Sequence, residues 1–187
     1  MNFVQPIRDI GKIDAMKKIL RGTSLRDYAL FVLGINSGLR ISDLLALTVA
    51  DVADEKGIRD RISLREKKTG KTKDFPVGST ARKALKEYLD TREADPAAPL
   101  FLSRKSGAAI QRVQAYKILN RAARAIGIPD KIGTHTLRKT FGFHAYKAGR
   151  DLSMITKLLN HSSPAITLAY IGITQDDMDE VYLTLNL

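Results

Sequence analysis

The chain has no cysteine among its 187 residues. That excludes disulfides, a thiolate nucleophile and any zinc site built on sulfur. Aromatic residues are scarce, at 6%, which argues against a platform that stacks the bases of single strands. No apolar run approaches the roughly 18–20 residues that cross a bilayer, and no signal peptide is visible. A cytoplasmic protein without a membrane partner is therefore expected. Only 3 histidines are present, so each can be placed individually.

What the chain does have is positive charge. Its 31 Lys and Arg against 20 Asp and Glu leave a net charge of +11. Such an excess calls for a polyanionic partner, and double-stranded DNA gripped by its phosphates fits best. A hydrophobic content of 44% fits one soluble domain with a sizeable core. No internal repeat or low-complexity segment interrupts it.

Residues 1–11 read as irregular. Ile13, Met16 and Leu20 predict a short helix over 12–21, broken at Gly22-Thr23-Ser24. Residues 25–36 are apolar nearly all round, as a central buried helix is, and Ser37-Gly38 ends them. Residues 48–77 read as strands, with Val49 to Val52 as a short strand or turn. Arg61 to Arg65 and Thr72 to Val77 flank a hairpin tip, Lys67-Lys68-Thr69-Gly70-Lys71. Residues 79–92 form an amphipathic helix with Ala81, Leu85, Tyr88 and Leu89 inward. After a basic turn from Arg104 to Gly107, a helix over 110–126 turns Val113, Tyr116, Leu119, Ala123 and Ile126 to one side. Lys117, Arg121 and Arg124 fall on its other side, a candidate stripe for phosphate contact. Lys71, Lys73 and Arg104 are the other DNA-contact candidates. The whole is mainly α with a small antiparallel β-sheet, an α+β fold.

The stretch from His135 to Tyr170 carries the chemistry. Thr134 is placed to cap a helix from His135, with Leu137, Phe141, Ala145 and Ala148 as its buried stripe and Gly149 as its stop. Asp151 caps a second helix, with Leu152, Ile155 and Leu159 inward. His161 falls in the next loop, and Ser163-Pro164 starts a third helix that ends near Tyr170. These residue types suit attack on a phosphodiester. An arginine fork clamps phosphate and stays charged. A tyrosine needs a base or an electropositive site to act as nucleophile, and histidine moves protons near neutral pH. His144, the remaining histidine, reads as structural.

H-x-x-R at His135 and Arg138, L-N-H-S-S around His161, and Tyr170 beyond it resemble the catalytic domain of the tyrosine site-specific recombinases, the phage integrase family. G-L-R-I-S-D-L-L-A-L around Arg40 resembles the pattern at that family's first catalytic arginine, and Asp43 matches the acid that supports it. The family also carries a lysine on a β-hairpin. Counting back from Phe75-Pro76-Val77 puts it at Lys68, with Lys67 the nearest competitor. The resemblance spans about residues 12–187 and implies a tyrosine recombinase catalytic-domain fold.

It also implies a mechanism. Arg40, Arg138 and His161 hold the scissile phosphate, His135 takes the proton from Tyr170, and Lys68 protonates the departing 5′ oxygen. The product is a 3′-phosphotyrosyl link, with no metal or other cofactor. The working unit is a homotetramer on two duplexes. The helical N-terminal clamp domain of most members is absent. The expectation is therefore a single catalytic domain over 1–187, like the fimbrial-switch invertases, or an excised catalytic fragment. An accessory DNA-bending protein is then a candidate partner. Two rival readings are a type IB topoisomerase-like relaxing enzyme and a catalytically silent DNA-binding regulator. The last amphipathic helix, capped by Thr174 with Met178, Val181, Tyr182 and Leu185 on one face, packs on its own core or on a neighbouring subunit.

Overall fold

The computed structural model describes residues 4–93, 95–103 and 105–185, without the side chain of Asp176. Arg104 lies outside the described residues. Helices predominate. The first two are α1 (Ile10–Thr23), begun by the Asp9 carboxylate, and α2 (Leu25–Ser37), begun by Ser24. Ala29 to Leu33 of α2 are all buried, so this helix has no solvent face over those turns. It packs against α1, α5 (Ser79–Leu89) and α7 (Thr136–Lys147). The side chains expected to face inward from residues 79–92 do so.

Between α2 and α5 lie two single-turn helices, α3 (Ile41–Leu44) and α4 (Val49–Val52), and two antiparallel hairpins. The first pairs β1 (Ala53–Asp54) with β2 (Gly57–Ile58), the second β3 (Arg61–Arg65) with β4 (Thr72–Pro76). Ile62 faces Phe75 and Leu64 faces Lys73 across the second. Residues 49–52, read as a strand or turn, are helical instead. Asp51 accepts from both the backbone and the hydroxyl of Thr48, a local capping box that wins over the β-branched valines.

Helix α6 (Arg112–Ala125) keeps Leu119 and Ala123 of its expected face and departs from it elsewhere. It packs through Ala115, Leu119, Ala122 and Ala123, while Val113 and Tyr116 are 60% and 48% exposed. Small residues let its backbone approach the core, and the larger apolar ones stay outside.

Helices α7, α8 (Leu152–Leu158) and α9 (Pro164–Ile171) form a second small cluster around Phe143, Ile155, Leu159 and Ile171. Asp151 and Ser163 cap α8 and α9 as expected. For α7 the expected cap is corrected: Thr134 makes no cap, and Thr136 bonds back to Gly133 by both backbone and hydroxyl. The expected stripe also differs. Thr136 to Thr140 are all buried, because α7 is wedged between α2 and α9, while Ala148 is exposed. Gly142 permits that wedge. A Cβ there would meet Ile171 Cγ2 at 2.7 Å and Leu159 Cδ1 at 3.0 Å. Helix α10 (Gln175–Leu185) ends the described chain, begun by a reciprocal Thr174–Asp177 bond pair. No helix among the described residues is long and apolar enough to cross a membrane.

Candidate active site

The site forms where the two clusters meet. Gly38 ends α2 in the left-handed region, φ +59, where glycine is free of the Cβ penalty. Its carbonyl accepts Nη1 of Arg138 at 2.5 Å, and the carbonyl of Leu159 accepts Nη2. Arg138 is thus fixed from both sides and is only 3% exposed. Burial and the charge of Arg40 pull its pKa down, against Tyr170 and the acids Glu66 and Asp43. Two hydrogen bonds leave other N–H groups of the guanidinium for a ligand.

Arg40 lies two residues beyond Gly38, at the start of α3. Its partner is Glu66, at 2.8 Å, not the expected Asp43. The Arg40–Glu66 contact is an ion pair without hydrogen-bond alignment. Asp43 instead accepts the backbone N–H of Lys67 at 2.9 Å, which anchors the β3–β4 tip. The pairing missed Glu66 because it lies 26 positions away from Arg40, whereas Asp43 is within one helical turn. A lone acid beside two tip lysines was the available signal. Burial alone would raise the Glu66 carboxyl. Donors Thr69 (2.6 Å) and Asn160 (2.9 Å), with Arg40, bring it down to about 2.

Tyr170, from the last turn of α9, packs its ring edge-on to His161, with centroids 4.8 Å apart and planes at 73°. Burial raises its pKa, while Arg138 and Arg40 oppose that. The hydroxyl is therefore protonated at rest and needs a base. Lys139, itself buried, holds its ammonium 5.0 Å from the Tyr170 ring centroid. Burial lowers the Lys139 pKa as well.

Burial, Arg138 and Arg40 take His161 down to about 4, so it is neutral at pH 7. Its Nδ1 lies 3.1 Å from Thr167 Oγ1. The Thr156 hydroxyl donates to Leu152 O, and that of Thr167 has Ser163 O or Thr156 as acceptor. The Thr167 hydroxyl thus holds the His161 ring through Nδ1. His135 is reached by Nη2 of Arg112 at 3.4 Å. Burial, Arg112, Lys139, Arg138 and Lys68 all lower its pKa. Arg112 also donates to Thr134, and sequence reasoning had no signal for it.

Lys68 is exposed at the β3–β4 tip, within the field felt by His135. Lys73 lies deeper. It donates to Gly38 O at 3.4 Å and Leu158 O at 3.3 Å, and burial with the charge of Arg138 lowers its pKa to about 8. Lys71 reaches Asn160 at 3.2 Å. So Arg40, Lys68, His135, Arg138, His161 and Tyr170 converge, with Lys71 and Lys73 beside them. Lys117 and Arg121 do not join them, since they line a separate cleft with Ile19 and Leu20 of α1. Arg124 binds the carbonyls of Ile128 and Pro129. His144 is structural as expected, held by the Ile7 carbonyl.

Solved structures share this fold. The XerA recombinase superposes with a TM-score of 0.78 at 22% identity, over 98% of this chain and 64% of that one. A XerH site-specific recombinase bound to its palindromic difH substrate gives 0.75 at 21%, over 100% and 54%. The fold is that of a tyrosine recombinase catalytic domain. The sequence pattern of the phage integrase family matches residues 11–176, and the chain belongs to that family. It is 43% identical to the probable integrase/recombinase YoeC of Bacillus subtilis, over 97% of both chains. It is 36% identical to the tyrosine recombinase XerC of Thermodesulfovibrio yellowstonii, over 86% of this chain and 54% of that one. The chain thus spans about half the length of that XerC relative.

Proposed function

We infer that this chain is a site-specific recombinase acting on double-stranded DNA through Tyr170. The observation that carries the reading is the convergence of Tyr170, His161, Arg138 and Arg40 from separate parts of the chain. The Tyr170 oxygen attacks the scissile phosphorus as the bond to the 5′ oxygen breaks. His135 accepts the phenolic proton, and His161 holds the scissile phosphate with the two arginines. Arg40 and Arg138 carry the charge that gathers on the non-bridging oxygens. Lys68 supplies the proton to the 5′ hydroxyl. The resulting 3′-phosphotyrosyl link keeps the bond energy, and a partner strand's 5′ hydroxyl reverses the step to complete exchange. Lys71 and Lys73 are the proposed contacts to backbone phosphates beside the scissile one.

The homotetramer on two duplexes and a DNA-bending accessory protein belong to the same reading, with action in the cytoplasm. The α10 face supports assembly. Met178, Val181 and Leu185 are 44–59% exposed and Tyr182 80%, so this apolar face is not spent on the chain's own core.

Covalent capture tests the reading. Supercoiled plasmid and a library of nicked duplexes are incubated with the protein, and protein-linked DNA is sought under denaturing conditions. The wild type forms an adduct and Tyr170→Phe forms none. An adduct that survives in Tyr170→Phe overturns the assignment. DNA binding without any adduct points to a silent regulator instead.

A further inference from the structure

The β3–β4 tip that carries Lys68 is a protruding turn, with residues 67–71 all exposed. Its ties to the rest of the site are few and specific. One runs to the loop before α9. Asn160 Nδ2 donates to Glu66 Oε2 at 2.9 Å, and Asn160 Oδ1 accepts from Lys71 Nζ at 3.2 Å. One amide therefore grips both ends of the tip, donor end to the acid and acceptor end to the base, which also fixes its orientation. Thr69, next to Lys68, closes the arrangement on the same Glu66 oxygen at 2.6 Å.

The backbone of Asn160 strengthens the case. Its φ is +50, and it is the only non-glycine residue with positive φ among the described residues. Glycine would hold that conformation more easily. Asparagine there gives up that ease and gains an amide under the hairpin. Asn160 also directly precedes His161, whose ring packs on Tyr170.

We propose that Asn160 is a positioning residue that couples the Lys68 hairpin to the His161–Tyr170 loop, so that the proton donor is presented together with the nucleophile. The inference rests on the recombinase reading above. Glu66 is shared between this latch and Arg40, but the two roles separate chemically. Arg40 acts on the phosphate whatever group departs. The latch acts only where the departing oxygen needs a proton.

The test uses a nicked duplex of the sequence recovered by covalent capture, made with oxygen or with sulfur at the bridging 5′ position. A thiol, with a pKa of about 8.5, departs as the thiolate and needs no proton donor. Asn160→Gly keeps the left-handed backbone and deletes the latch. Asn160→Asp, also tolerated at positive φ, opens it by setting a carboxylate against Glu66. Both are expected to cleave the oxygen substrate about tenfold or more slowly and the sulfur substrate at the wild-type rate. Glu66→Gln is expected to slow both substrates. Equal slowing on both substrates by the Asn160 variants, or wild-type cleavage of the oxygen substrate, overturns the coupling. A wild type that forms no adduct with either substrate removes the recombinase reading, and the coupling with it.

Discussion

Gly142→Ala separates folding from chemistry. The added Cβ would lie 2.7 Å from Ile171 Cγ2 and 3.0 Å from Leu159 Cδ1, and both neighbours are fully buried. Ordinary contact begins near 3.4 Å, so α7 and α9 must part by about 0.7 Å. Overpacking of this kind costs about 1–3 kcal/mol, and alanine in a helix interior returns about 1 kcal/mol relative to glycine. The net loss is about 0–2 kcal/mol, or about 0–8 °C in Tm for a chain of this size. Chemistry is hit harder, because Ile171 follows Tyr170 and the Leu159 carbonyl holds Arg138. A displacement of that order slows attack by about 10- to 100-fold. Circular dichroism gives the melting point, fluorescence anisotropy the DNA affinity, and single-turnover adduct formation the rate. The expected pattern is a folded protein that binds DNA normally and cleaves it poorly. Adduct formation at the wild-type rate, or losses of binding and cleavage that only follow unfolding, would refute the geometry.

Two other outcomes are expected. The Glu66 carboxyl titrates at about 2 in the folded chain against an ordinary 4.5. Its contribution of about 3 kcal/mol is therefore full above pH 4.5 and lost as the pH falls towards 2. Urea midpoints of the wild type should fall more steeply than those of Glu66→Gln across that window at fixed ionic strength, and parallel curves would remove the lowered Glu66 carboxyl. A chain ending at Thr174 should bind single sites but fail to assemble on two, as read by sedimentation, and unchanged assembly would show that α10 is not the connector.

Sequence reading succeeded where one local pattern dominates. The unbroken apolar run of α2, the Ser163-Pro164 start of α9 and the glycine of the hairpin tip each announce their element. It failed where the deciding contact is distant or the deciding side chain is small. The Arg40–Glu66 pair joins a loop to a hairpin, and Asn160 reaches the same acid from the far end of the chain. On α6 Leu119 and Ala123 are buried as expected, but weighting Val113 and Tyr116 by size misplaced the rest of the face, which Ala115 and Ala122 make. The residues that meet at the site, Arg40, His135, Arg138, His161 and Tyr170, stood out in the sequence through their resemblance to the family's motifs. The residues that hold them, Glu66, Asn160 and Arg112, were not, since many arrangements could do that work.

The two carbonyls that grip Arg138 have an evolutionary consequence. Leu159 ends α8 and Gly38 ends α2, so this arginine bolts together the two clusters of the domain as well as facing the site. A lineage drifting towards a silent DNA-binding role can shed the Tyr170 hydroxyl or Lys68 at little structural expense. It cannot so easily shed Arg138, because the empty place would leave the Leu159 carbonyl unanswered and the Gly38 carbonyl with only the longer bond from Lys73. In descendants of such a fold the arginine should therefore outlast the activity it serves, and its presence alone is a poor guide to whether the enzyme still cuts.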